Sequence, residues 1–260
     1  MNHREIFSDA RWLSPLQSLD AALFRSEIEI NRTVQSAEIT ICGLGWFILY
    51  INGRRVGNDE FVPAYTDYHD RPDMNLSYPL NDDFSHRIYA LKYDVAEYLH
   101  EGKNVLGVAV GGGYYHQTLR KAEGNMNYGN IKLCYKLDVD SEVFYSNRKD
   151  VRYSRGYFEK SNLFYGETLD FRGFDRKWST VDGNLSDGEE PFETAPPKTE
   201  YYIQDCPTDK VTEVLAPELV KNFGDFSVYR IEKNISGYPV IRCGNEGETV
   251  VIECAEDLNI

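Results

Sequence analysis

At 260 residues, with 42% apolar and 13% aromatic side chains, the chain can bury a substantial core and is not disordered. Its 28 Lys and Arg against 42 Asp and Glu give a formal charge of −14, which argues against nucleic acid or anionic lipid as a partner. No apolar run approaches the ~20 residues of a membrane span, and Met1-Asn2-His3-Arg4-Glu5 opens no signal core.

The predicted elements follow a period of two. Ala37-Glu38-Ile39-Thr40-Ile41 alternates as a strand with one wet face. Phe47–Ile51 is a short apolar run ending at Asn52-Gly53, a pair that tolerates the positive φ angles of a two-residue turn, so the chain should reverse into Arg54-Arg55-Val56. Trp46, at the head of that run, reads as a core anchor. Helix is scarce. The best candidate is one turn, Val95–Leu99, capped by Asp94, with Glu97 completing a capping box and Gly102 suiting the exit. Such a turn would close one end of a sandwich between two strands.

Asn104–Val110 is a further strand, closed by Gly111-Gly112-Gly113, and Ile131–Val139 alternates with every odd position apolar. Val181–Glu200 holds six acids, one base and three prolines and reads as a long surface connection. Strands are then expected at Tyr201–Ile203, Ser227–Tyr229, Pro239–Cys243 and Thr249–Cys254. Short strands with turns between them imply an all-β fold: a jelly-roll-like β-sandwich over 1–195 followed by a smaller β-domain over 196–260.

The sequence lacks the common catalytic and nucleotide-binding motifs: a G-x-S-x-G elbow, H-E-x-x-H, a P-loop and G-x-G-x-x-G are all missing. Cys42, Cys134, Cys206, Cys243 and Cys254 are odd in number and never spaced C-x-x-C, so free buried thiols and a cytoplasmic location are expected. The sequons at Asn31, Asn75, Asn184 and Asn234 would matter only in a secreted chain. The five histidines have no metal-ligand spacing. Asp67, Asp70 and Asp73 could approach one cation but lack the ligand pattern of a calcium loop. No catalytic residue, metal site or cofactor is expected.

Several segments in order carry a family likeness. They are Gly45-Trp46-Phe47-Ile48-Leu49-Tyr50-Ile51-Asn52-Gly53-Arg54-Arg55-Val56-Gly57, Pro63-Ala64-Tyr65-Thr66-Asp67-Tyr68, and Tyr93-Asp94-Val95 with Leu99. Gly102–Val108 and Gly111-Gly112-Gly113-Tyr114-Tyr115 follow, then Gly166-Glu167-Thr168-Leu169-Asp170-Phe171-Arg172 with Trp178. The set resembles the N-terminal jelly-roll region of bacterial α-L-rhamnosidases, inverting glycoside hydrolases. Lys233–Tyr238, Gly247-Glu248-Thr249 and Ala255–Asn259 are similar to the β-domain that follows it in that family. Two segments depart from the family pattern: Gly113-Tyr114-Tyr115 stands where Gly-Trp-Tyr is usual, and Tyr229–Asn234 where Asp-Phe-Gly-Gln-Asn is usual.

The resemblance implies general acid and base carboxylates on an (α/α)6 barrel C-terminal to these β-domains. This sequence has no long amphipathic helices to build one, so the chain alone is expected to be non-catalytic, a fragment or a product lacking the barrel. Three readings stay open. In the first, the chain is an accessory module contacting a rhamnose-containing carbohydrate through Tyr65, Asp67, Tyr68, Tyr114, Tyr115 and His116, where flat rings meet groups that bond hydroxyls. In the second, it braces a catalytic (α/α)6 domain or a homo-oligomer partner without binding sugar. In the third, it is a small self-contained glycosidase or esterase.

Overall fold

A computed structural model describes residues 1–69, 86–119, 127–242 and 249–255. Asp70, Asp73, Asn75, Cys243, Gly247-Glu248 and residues 256–259 lie outside the described residues. The strands are β1 (Trp12–Ser14), β2 (Ala21–Ile30), β3 (Ala37–Leu44), β4 (Trp46–Ile51), β5 (Arg54–Arg55), β6 (Asp59–Glu60), β7 (Arg87–Asp94), β8 (Gly102–Gly111) and β9 (Lys132–Val139). They continue with β10 (Glu142–Tyr145), β11 (Val151–Ser154), β12 (Phe158–Asn162), β13 (Gly166–Leu169), β14 (Phe192–Thr194), β15 (Glu200–Ile203), β16 (Asp209–Lys210), β17 (Glu218–Asn222) and β18 (Ser227–Arg230). Helix among the described residues is limited to α1 (His3–Phe7) and a 3-10 turn, Ala96–Tyr98. The chain forms two units, Met1–Val211 and Thr212–Ile260.

The first unit is the expected β-sandwich. One sheet runs β14-β1-β9-β3-β7-β15, with β10 also paired to β9, and the other runs β11-β2-β8-β4-β5. Between them, Ile39, Ile41, Leu133 and Leu137 meet Phe24, Leu49, Leu106 and Val108. At ~25 cal/mol per Å² of apolar surface removed from water, this inner face is the main stabilising term.

Both outer faces are covered too. Over the seven-stranded sheet, Ile6 and Phe7 of α1 with Tyr68 and Tyr115 bury Trp12, Cys42, Ile88 and Cys134. Over the other sheet, Trp178 covers Leu23 and Ala109, and Tyr157, Phe174 and Leu185 pack beside it. Buried Arg25 holds this cover down, donating to the carbonyls of Trp178 (2.9 Å) and Thr180 (3.0 Å).

Burial on two faces explains why β2, one of the longest strands, shows no clean alternation: its first six residues, Ala21–Ser26, are all buried. Helix α1 is too short for a helical periodicity to mark it. Its signal is a capping box: Asn2 accepts from the Glu5 N–H, and Glu5 returns an acceptor to the Asn2 N–H.

The Asn52-Gly53 turn forms as expected, with φ of +50° and +80° and Ile51 opposite Arg54. Asn52 also donates to the Tyr98 carbonyl and to Asn104 Oδ1, and accepts from Val105 N–H, tying the hairpin to the 3-10 turn. Asp94 accepts from Ala96 N–H at 3.1 Å, but no capping box forms. Glu97 instead pairs with Arg54 at 2.9 Å, a partner the local sequence does not reveal.

Other differences follow from what each segment can bury. The surface connection contributes β14, paired with β1, and Glu189 bridges to Tyr153. Residues 200–203 add β15 beside β7, in parallel, within the first unit. Cys42 and Cys134 are free, buried and opposite each other on β3 and β9, whereas Cys206 and Cys254 are exposed.

In the second unit β17 and β18 form a hairpin. Residues 239–242 and 249–255 are not strands, and Val240 and Val251 stay 81% and 77% exposed. Alternation there has no facing layer among the described residues of that unit, so it fixes no strand.

Candidate functional site

The first unit carries a shelf of contacting aromatic rings. Trp46 opens β4, and its ring lies against Gly113, where a Cβ would come within 3.0 Å of the indole. Glycine is required there twice over, because its φ is +48°. The next residue, Tyr114, meets Trp46 edge-on at 5.8 Å and lies 4.4 Å from Tyr65. Phe61, just past β6, sits 4.8 Å from Trp46, and Phe164, in the β12–β13 turn, reaches Tyr114 at 6.0 Å. Tyr65 is 64% and Phe61 55% exposed. The result is a continuous, partly wet aromatic surface. Such a surface suits the C–H face of a sugar ring.

A second, buried group of rings lies at the outer face of the seven-stranded sheet. Tyr115 and Tyr128 stack at 5.7 Å, and Tyr68 meets them edge-on at 5.1 and 5.0 Å. Burial drives the Tyr68 and Tyr115 phenols well above their ordinary range. Lys132 Nζ donates to Tyr115 Oη at 2.8 Å and to the Asn130 carbonyl, and burial lowers its pKa to about 8. Asp67 accepts from Tyr128 Oη at 2.5 Å, and His86 Nδ1 lies 3.2 Å from its other oxygen. The Tyr68 hydroxyl, by contrast, is buried without a hydrogen-bond partner among the described residues.

The structure therefore divides the six residues singled out by sequence. Tyr65 and Tyr114 share the exposed shelf. Tyr68, Tyr115 and His116 are buried, and His116 is held between Ser18 Oγ and the Gly129 carbonyl. Asp67 is half-buried and already bonded. Trp46 is half-buried at the shelf rather than sunk in the core. Phe61 and Phe164 were missed; the signal for Phe164 is the apolar triplet Leu163-Phe164-Tyr165 at a hairpin tip.

Asp170 takes the Arg172 guanidinium at 2.6–3.1 Å, which holds its carboxyl down at about 2. Among the described residues no cluster of three or more His, Cys, Asp or Glu could hold a metal, and no helix is long and apolar enough to cross a membrane.

Residues 32–213 match the family model described as the alpha-L-rhamnosidase N-terminal domain. The chain belongs to that family. An α-L-rhamnosidase of Formosa agariphila is 26% identical over 97% of this chain and 26% of its own length. One from Streptomyces avermitilis is 28% identical over 88% of the chain and 21% of its length. In structure, the α-L-rhamnosidase of Dictyoglumus thermophilum covers 84% of the chain at a TM-score of 0.68 and 25% identity, matching 24% of that protein. The Aspergillus terreus enzyme covers 85% at 0.67 and 24% identity, and shares the fold. This rhamnosidase N-terminal chain thus spans about a quarter of the length of the relatives it matches.

Proposed function

We propose that this chain is the accessory N-terminal region of an α-L-rhamnosidase-like glycoside hydrolase, and that it contacts rhamnose-containing carbohydrate on the aromatic shelf while another domain cleaves the bond. The observation that carries the sugar contact is the run of touching rings from Phe61 through Trp46 and Tyr114 to Tyr65. L-Rhamnose presents a methyl and several C–H groups that such faces favour. The facing free thiols Cys42 and Cys134 support a reducing compartment, such as the cytoplasm.

Titration calorimetry with L-rhamnose and rhamnose-containing oligosaccharides tests the contact. Binding in the millimolar range or tighter, weakened several-fold by Tyr114→Ala or Tyr65→Ala, is expected; flat heats at millimolar ligand would overturn it. Hydrolysis of an aryl α-L-rhamnoside that follows the protein through purification would overturn the division of labour.

A bracing role without sugar is favoured by a different observation. The second unit leaves Val214 89% exposed, with Val240 and Val251 nearly as open, which is apolar surface suited to a covering domain. Sedimentation of the chain with and without a separately produced barrel domain separates the two roles.

A further inference from the structure

Near the N-terminus of the first unit lies a cavity of about 350 Å³, walled in part by His3, Arg4, Asp9, Arg11 and Thr194. That volume falls at the lower end of the ~300–1,000 Å³ typical of small-molecule sites. Arg4 and Arg11 both line it, and neither guanidinium has a hydrogen-bond or ion-pair partner among the described residues. Many other described arginines, such as Arg25, Arg54, Arg148 and Arg172, are ion-paired.

His3 lines the same cavity as the two arginines. His3 is fixed in a single neutral tautomer: Nδ1 accepts from Trp12 Nε1–H, and Nε2–H donates to the Ala10 carbonyl. Burial lowers its pKa, and the charges that lower it further are Arg11 and Arg4. Asp9 also lines the cavity but bonds neither guanidinium. Thr194 of β14, which also lines the cavity, has a buried hydroxyl with no hydrogen-bond partner among the described residues.

From the unpaired Arg4 and Arg11 beside a monosaccharide-sized cavity with an orphaned Thr194 hydroxyl, we infer a binding site for a small oxyanion, either a carboxylate or a sulfate group. Guanidinium forks match both groups bidentately, and such charge-assisted bonds are about twice as strong as neutral ones. The site is independent of the aromatic shelf and does not rest on the sugar reading.

Calorimetry of the whole 260-residue chain at low ionic strength tests it with two probes, D-glucuronate and inorganic sulfate, and with neutral D-glucose as control. At least one anion should bind in the millimolar range or tighter, and the probe that binds identifies the source of the charge. Arg4→Gln/Arg11→Gln should weaken binding at least tenfold, Arg11→Lys less, and Tyr65→Ala not at all. Both arginines are exposed, so the variants should melt with the parent protein. Flat heats for both anions, undiminished binding in the double variant, or equal affinity for D-glucose would overturn the inference.

Discussion

Strand β3 of the first unit and strand β17 of the second carry comparable β-forming side chains but end in different states. In β3 every residue except Glu38 is buried, because a second sheet faces one side and α1, Tyr68 and Tyr115 cover the other. In β17 all five residues are exposed, although it pairs with β18. Backbone pairing is present in both cases; a facing layer is present only in the first. A two-stranded hairpin without such a layer is marginally stable in water, so the first unit should melt cooperatively and the second should contribute little.

The largest test of that contrast is Trp12→Ala. The indole is fully buried against Phe7 and Tyr201, and its loss should cost about 3–5 kcal/mol in urea denaturation. A cost below 1 kcal/mol would mean that the outer layer is not part of the cooperative unit. Next is Arg25→Ala, which strands the Trp178 carbonyl and leaves the Thr180 carbonyl with the Gly183 N–H alone, and should cost about 2 kcal/mol. Its signature should be early exchange of amides in the 174–185 cover.

Lys132→Met sharpens the picture through pH. The folded pKa of about 8 lies below the unfolded value near 10.5, so in that window the unfolded chain holds more protons and stability rises with pH. The variant should lose this rise and gain roughly 1 kcal/mol at pH 7, a fraction of the full pKa equivalence. Denaturation midpoints at pH 7, 8, 9 and 10 measure both effects. The smallest effect is expected in the second unit: Leu219→Ala should shift stability by less than about 0.5 kcal/mol. A larger loss would show that β17 is covered in solution.

Legibility in the sequence tracked the number of buried faces and the locality of the cause. β4, its Asn52-Gly53 turn and β9 could be read because a short apolar run, two positive-φ residues and a strict alternation are local signals. β2 could not, because covers from distant segments bury both its faces. At the site, Tyr114 and Tyr115 are adjacent and chemically identical, yet one joins the shelf and the other the buried stack. Only the turn after Gly113, seated against Trp46, decides which ring faces water.

Composition and pattern by themselves determined that the chain is acidic, all-β and rich in turn-defined strands, and its ordered motifs determined the family. Tertiary structure decided which tyrosines are exposed, which cysteines are buried, that Glu97 pairs with Arg54 rather than capping its own turn, and that Arg4 and Arg11 line one cavity. The reason is physical: strand periodicity and turn angles are set by neighbours one to four residues away, whereas burial and charge pairing depend on segments that meet only when the layers close.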